Sequence, residues 1–196
     1  MRSHLTKSGT VPGYPSHSLI IATDAAVDQL RNRTGMAYLS TDGAWGFFLR
    51  PAETAGSPDS QVLACELRAV FYALDRTLPD GPVTVLTDSA DAVAYLHAWQ
   101  HGEDRYPPGY TPRFNPRRGI SYLAALRKKV SGAPQRFTFQ WQRGHEGHPL
   151  NEFADSAAKL ALRTETGDAA RSEASQLAPS WAQARLEEWG NYQEER

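Results

Sequence analysis

Only one cysteine, Cys65, occurs among 196 residues, so no internal disulfide can staple the fold and a reducing, cytoplasmic location is the expectation. The first residues show no basic-then-apolar leader, which agrees with that expectation. Long apolar runs are missing as well. None approaches the roughly 20 residues that cross a bilayer, which excludes an α-helical membrane protein and any membrane partner. Neither sign of charge dominates: 21 Lys and Arg against 22 Asp and Glu leave a net charge of −1, so no global electrostatic grip on nucleic acid is advertised. No internal repeat is present. What remains is an ordinary globular composition, 40% hydrophobic and 22% charged, in a length that suits one domain on a prior of about 100–200 residues. A monomer is expected. Charge is segregated locally: residues 101–130 hold seven basic against two acidic residues, and residues 164–196 seven acidic against three basic.

Residues 1–17 carry Gly, Pro and Ser without an apolar period and read as a flexible N-terminal tail outside the fold. The run 19–22, Leu-Ile-Ile-Ala, is apolar throughout, as a strand buried on both faces would be, and delivers Asp24 near its end. Strands at 36–39 and 44–49 follow, joined through Asp42-Gly43, a hairpin signal, so strands one to three form an antiparallel meander. Helical periodicity covers 61–78, with Val62, Ala69, Val70 and Ala73 on one face. A strand at 83–87 closes in Asp88-Ser89, either of which can cap a helix at 90–99. A Pro- and Arg-rich loop, 101–119, leads to a helix at 120–130, a strand at 136–143 and a helix at 150–163 with Pro149 suited to its first turn. From 164 to about 179 the residues are small and polar like a linker. Trp181, Ala184, Trp189 and Tyr192 then share a face of a last amphipathic helix that docks on the domain or on a protein partner.

Four carboxylates stand in awkward places, because an unpaired charge in apolar surroundings costs several kcal/mol. Asp24 ends an apolar strand, Glu66 interrupts the apolar stripe of a helix, Asp88 ends a second buried strand, and Asp155 shares a face with Ala158 and Leu162. Singly, each has a plain structural reading: a turn for Asp24, a cap for Asp88, a salt bridge for Glu66 or Asp155. Jointly, neighbouring strands and a helix packed on them bring the acids to one end of the sheet, where their repulsion needs a counter-charge. All-oxygen ligation suits Mg²⁺ or Mn²⁺ better than zinc, and such a cluster can hold two ions for phosphoryl transfer. Other arrangements fail. Cys65 sits on a helix with nothing to lower its pKa; His145 and His148 are three apart where a zinc-protease helix needs four; Ser156 and Asp155, adjacent on a helix, point about 100° apart and cannot serve one triad. His148 reads as a turn or capping residue, and Trp45, Trp99 and Trp141 as core or partly buried packing residues.

The order of these motifs resembles the type 1 ribonuclease H family. Ile21-Ala22-Thr23-Asp24 is similar to its first-strand motif, Ala64-Cys65-Glu66-Leu67-Arg68-Ala69 to its helix motif and Thr87-Asp88-Ser89 to its third acid. The segment 141–155, Trp-Gln-Arg-Gly-His-Glu-Gly-His-Pro-Leu-Asn-Glu-Phe-Ala-Asp, resembles the family's closing stretch almost position for position. The likeness covers residues 18–163. It implies an α/β ribonuclease H-like fold: a mixed five-stranded sheet, antiparallel over strands 1–3 and then parallel, with helices on both faces. It further implies an endonuclease that hydrolyses the RNA strand of an RNA–DNA hybrid with two Mg²⁺ or Mn²⁺ ions, by in-line attack of water, leaving 5′-phosphate and 3′-hydroxyl ends. Asp24, Glu66, Asp88 and Asp155 would be catalytic metal ligands and His145 a mobile catalytic histidine. Two family features differ: the Asn expected four residues before the Glu is Val62, and the polar residue expected after Asp88-Ser89 is Ala90. Both would read the RNA 2′-hydroxyl. Gln61, Asn32 and Asn151 are therefore the candidate substrate contacts near the site, with Arg113, Arg117 and Arg118 as phosphate contacts in the loop and Tyr106, Tyr110 and Phe114 as its stacking surfaces. A related nuclease on another nucleic acid, such as a junction, and a non-catalytic hybrid-binding module are the alternatives; retention of four costly acids weighs against the latter.

Overall fold

Strand alternation decides the layering. In the computed structural model, which describes residues 5–14, 18–53, 56–76, 81–112, 119–164 and 168–194, successive strand residues point to two different cores. Ile21, Met36, Tyr38, Phe48 and Val85 face one; Ala22, Ala37, Leu39, Phe47, Leu49 and Leu86 face the other. The first core is closed by α1 (Pro58–Arg76), α2 (Ala90–Gln100) and α3 (Tyr122–Gly132), the second by α4 (Pro149–Arg163) and α5 (Asp168–Glu194).

The sheet has six strands where five are expected. They are β1 (Leu5–Thr10), β2 (Leu19–Asp28), β3 (Arg33–Ser40), β4 (Ala44–Pro51), β5 (Val83–Thr87) and β6 (Phe137–Trp141), in the order β1-β4-β3-β2-β5-β6. The β1–β4, β4–β3 and β3–β2 pairs are antiparallel, and the β2–β5 and β5–β6 pairs parallel. The extra strand lies inside the segment read as a tail. Its side chains Thr6, Lys7, Ser8 and Thr10 are exposed, so it is held by its backbone ladder to β4 and shows no apolar period. Gly9 lies opposite Trp45, where a Cβ would come within 2.8 Å of the indole. β2 also runs past the expected end at 22, because Asp24 to Asp28 remain paired with β3; Asp24 is thus a mid-strand residue opposite Ala37 and starts no turn.

α4 lies close on the sheet because its inner face is alanine: Ala154, Ala157, Ala158 and Ala161 are fully buried. The approach is tightest at Gly35, where a Cβ would meet the Ala158 carbonyl oxygen at 2.0 Å. Both partners are backbone, so neither can yield by a rotamer change. Gly35→Ala is expected to cost about 3 kcal/mol, a fall of roughly 6–12 °C in melting temperature for a chain of this size; an unchanged thermal transition would refute the contact.

The expected linker over 164–179 is replaced by helix: α5 begins at Asp168 and continues through Pro179. Ala174, Ala178, Ala182 and Leu186, four residues apart, form its buried stripe, with Trp181 and Trp189 partly buried beside them and Ala184 exposed. Alanine adds little to a hydrophobic pattern yet is the best helix former, which is why the segment reads as a linker. The helix packs this alanine stripe into the second core of the domain itself. Among the described residues, no helix is long and apolar enough to cross a membrane.

Candidate active site

The parallel register pairs Ala22 with Leu86, and two residues further along each strand stand Asp24 and Asp88. They meet at the carboxyl ends of the parallel strands, where β2 continues beside β3 while β5 stops; this is the edge at which open α/β sheets present ligand sites. Glu66 reaches the same place from the middle of α1. Ligand oxygens of Asp24, Glu66 and Asp88 all lie within 4.8 Å of one another. Asp24 and Glu66 are buried, at 6% and 5% exposure.

The plain readings of Asp24, Glu66 and Asp88 do not survive, whereas that of Asp155, a salt bridge, does. Ser89 is the N-cap of α2, its side chain accepting from the Ala92 N–H, so capping is not the role of Asp88. Among the described residues Glu66 forms no ion pair, and its Oε2 is buried without a hydrogen-bond partner. Asp24 Oδ1 accepts the Ala25 N–H at 2.8 Å. That bond is outweighed by burial first, then by the charges of Asp88 and Asp155, so the Asp24 carboxyl is pushed up to about 7. Burial and the two neighbouring aspartates hold Glu66 well above the ordinary carboxylate range. Asp88, the most open of the trio, is raised by partial burial and by Asp155.

Asp88 is fixed from the adjacent strand. Trp141 Nε1 donates to the Asp88 carbonyl at 2.9 Å, Gln142 N donates to the Thr87 carbonyl at 2.9 Å, and Gly144 packs so closely that a Cβ would stand 3.0 Å from Asp88 Oδ2. Contrary to the packing role expected of it, Trp141 is 54% exposed. Trp45 and Trp99 are buried as expected. His145 follows in a left-handed conformation (φ 59°), exposed, and near enough for its charge to bear on Asp88. His148 caps α4, its ring accepting from the Asn151 N–H.

Asp155 stands beside the trio and outside the 4.8 Å group. It is half-buried and paired with Lys159 one turn on, at 2.6 Å, while its charge acts on both Asp24 and Asp88. Lys159 escaped the sequence reading, although its spacing of four from Asp155 is the signal that finds it.

The expected substrate contacts scatter. Gln61 is half-buried in the first turn of α1. Asn32 is exposed in the β2–β3 turn with φ 52°, its carbonyl accepting the Ala52 N–H, so turn geometry alone accounts for it; the turn is reached only after the strand runs on from Asp24 to Asp28. Asn151 is buried at 3% exposure and offers no surface to a duplex. Arg113, Arg117, Arg118 and Phe114 lie outside the described residues. Tyr110 is buried and stacked on Tyr106, a packing arrangement and not a surface for bases. Val62 is 36% exposed four residues before Glu66, about one turn away on nearly the same face of α1. Cys65 is buried and its thiol pushed up to about 11 by burial, which leaves it inert. An open groove of about 470 Å³ is lined by Trp141, Gln142, Arg143, Glu146 and, from α5, Tyr192.

The RNase H family model matches residues 16–163. The chain is 39% identical over 103 residues to the ribonuclease H of Anaeromyxobacter sp. (strain K), covering 52% of this chain and 54% of that protein. It is 31% identical over 126 residues to the ribonuclease H of Agrobacterium fabrum, covering 61% and 84%, and 29% identical over 132 residues to that of Ruegeria pomeroyi, covering 62% and 83%. The chain thus spans about half the length of the Anaeromyxobacter relative and most of the length of the other two.

Proposed function

Because the chain belongs to the RNase H family, we propose that it is a metal-dependent endoribonuclease that hydrolyses the RNA strand of RNA–DNA hybrids, leaving 5′-phosphate and 3′-hydroxyl ends. The observation that carries this reading is the convergence of Asp24, Glu66 and Asp88 within 4.8 Å, with Glu66 Oε2 buried and unpartnered. Three mutually repelling carboxylates with hard oxygen donors fit a divalent cation such as Mg²⁺ or Mn²⁺ and do not fit a soft-ligand metal. Asp24, Glu66 and Asp88 would hold one ion, and Asp155, beside Asp24 and Asp88, would complete the binding of a second in exchange for its Lys159 partner. Such ions, when bound, lower the pKa of an attacking water and offset charge on the leaving oxygen.

The protein's own groups supply the rest. Trp141, Gly144 and Ser89 keep the Asp88 backbone and carboxylate in place, so the geometry is set before substrate arrives. His145, exposed beside Asp88, gives a proton to the leaving 3′ oxygen of the RNA. A soluble monomer in a reducing cytoplasm suits the lone buried thiol of Cys65.

The test is cleavage of an end-labelled RNA–DNA hybrid with Mg²⁺ or Mn²⁺, beside single-stranded RNA, double-stranded RNA, double-stranded DNA and a four-way junction. Hybrid-only cutting that is lost in Asp88→Asn is the expected result. Cutting of the junction with the hybrid intact would move the proposal to a related nuclease. Binding of the hybrid without cutting in either ion would make the chain a binding module.

Val62 bears on selectivity. An amide at this exposed position can donate to an RNA 2′-hydroxyl where a valine cannot, so Val62→Asn is expected to improve kcat/KM on the hybrid by roughly 2–10-fold, the range of one net hydrogen bond of about 0.5–1.5 kcal/mol. An unchanged value would mean that this position does not meet the ribose.

A further inference from the structure

Among the described residues, little holds the turn that carries His145. His145 and Gly147 both lie in the left-handed region, at φ 59° and 76°, and such a conformation costs energy at a residue with a Cβ and persists only where neighbours over-determine it. His145, Glu146 and Gly147 are exposed, and the Arg143–Glu146 ion pair across the turn is exposed too, at 3.2 Å, so it contributes little. Rigidity must come from the ends. At one end Gly144 packs on Asp88. At the other, His148 is 5% exposed and its ring is held by two aromatic rings from the last turns of α5: Trp189 at 5.1 Å and Tyr192 at 5.5 Å, which stack on each other at 5.6 Å. α5 lies beyond residue 163, where the match to the RNase H family ends.

We infer that Trp189 and Tyr192 are positioning residues for the reaction, a latch on His148 that sets the catalytic-histidine turn and the first turn of α4. Two linked consequences follow from where His148 sits. It is three residues after His145 and closes the downstream end of the turn, so where His148 is held sets where the turn ends. It is also the N-cap of α4, which carries Asp155 seven residues later, about two turns along and on nearly the same face. The stripe Ala174, Ala178, Ala182 and Leu186 anchors the helix at the angle that brings its aromatic end to the site. Tyr192 at the same time walls the groove beside Trp141.

This inference rests on the nuclease reading, and the experiment separates the two. Trp189→Leu, Tyr192→Ala and the double variant are compared with wild type for hybrid cleavage and for amide hydrogen exchange over residues 144–148. Val130→Ala, buried on the opposite side of the sheet, serves as the control for general destabilisation. The double variant is expected to lose about tenfold in kcat with KM within roughly twofold, short of the 10²–10⁴ that removal of a general acid itself costs. Trp189→Phe restores most of the loss. In a His145→Ala background the same double change costs clearly less than the tenfold seen with His145 present, because residues acting as a unit are non-additive; what remains is the share carried through α4 and Asp155. Amide protection in the turn falls while Val130→Ala leaves kcat and protection unchanged. Losses that multiply in the His145→Ala background overturn the latch, as do unchanged exchange in the turn or an equal loss of kcat in Val130→Ala. A wild-type chain that cuts no hybrid sinks the nuclease reading alone; the exchange comparison then decides the latch, and unchanged protection overturns it.

Discussion

Asp24→Asn is expected to abolish hybrid cleavage and at the same time to make the metal-free protein more stable at pH 8. Activity falls by about 10³-fold or more if, as proposed, Asp24 is a ligand to ions that provide several kcal/mol of transition-state stabilisation. Stability rises for an electrostatic reason. The Asp24 carboxyl, ordinarily near 3.8, is pushed up to about 7 by burial and by Asp88 and Asp155. Below pH 4 it is protonated in both folded and unfolded chains and makes no difference. Between pH 4 and 7 the unfolded chain releases its proton while the folded one retains it, so stability drops as pH rises, and above 7 the folded state carries the whole penalty. A shift of this size is on the order of 4 kcal/mol. The asparagine cannot ionise, so in EDTA its melting temperature should equal that of wild type near pH 4 and exceed it by about 5 °C or more at pH 8. Glu66, raised in the same direction, adds to the wild-type fall. A melting difference that does not change with pH would refute the buried-charge account, and retained cleavage would refute the role of Asp24.

Divalent ions should reverse the same penalty. Millimolar Mg²⁺ or Mn²⁺ is expected to raise the melting temperature of wild type by roughly 5–10 °C, the effect of about 2.7 kcal/mol at a ligand concentration 100 times Kd. The shift should be larger at pH 8 than at pH 6, because Asp24 and Glu66 must lose protons to ligate. Asp88→Asn should blunt it. Sodium chloride at matched ionic strength separates binding from screening. Absence of any shift with either ion would remove the metal site and with it the proposed chemistry.

Much of this was legible in the chain. Carboxylates at the ends of apolar strands and on the apolar face of a helix are rare enough that Asp24, Glu66 and Asp88 announce themselves, and the parallel register of β2 and β5 turns that pattern into proximity. The helices are marked by local devices, Ser89 as a cap and Pro149 in a first turn. β1 left no such mark, because an exposed edge strand is held by backbone hydrogen bonds to β4 and its side chains need no period. α5 was obscured by alanines and Pro179. Trp141 misled because an indole suits a core, yet here its N–H is used on the Asp88 carbonyl and its ring stays in solvent.

By itself, then, the sequence determined the α/β order of elements, the acids and the turn that bears His145, since each of these is a local matter of periodicity, capping or residue type. Tertiary structure alone decided the sixth strand, the burial of Asn151 and Tyr110, the pairing of Asp155 with Lys159 and the reach of Trp189 and Tyr192 to His148. Most of these depend on which surfaces meet across long separations in the chain. Where the partner is near in sequence, as for Lys159, the outcome still depends on which side chains the packed core leaves in solvent.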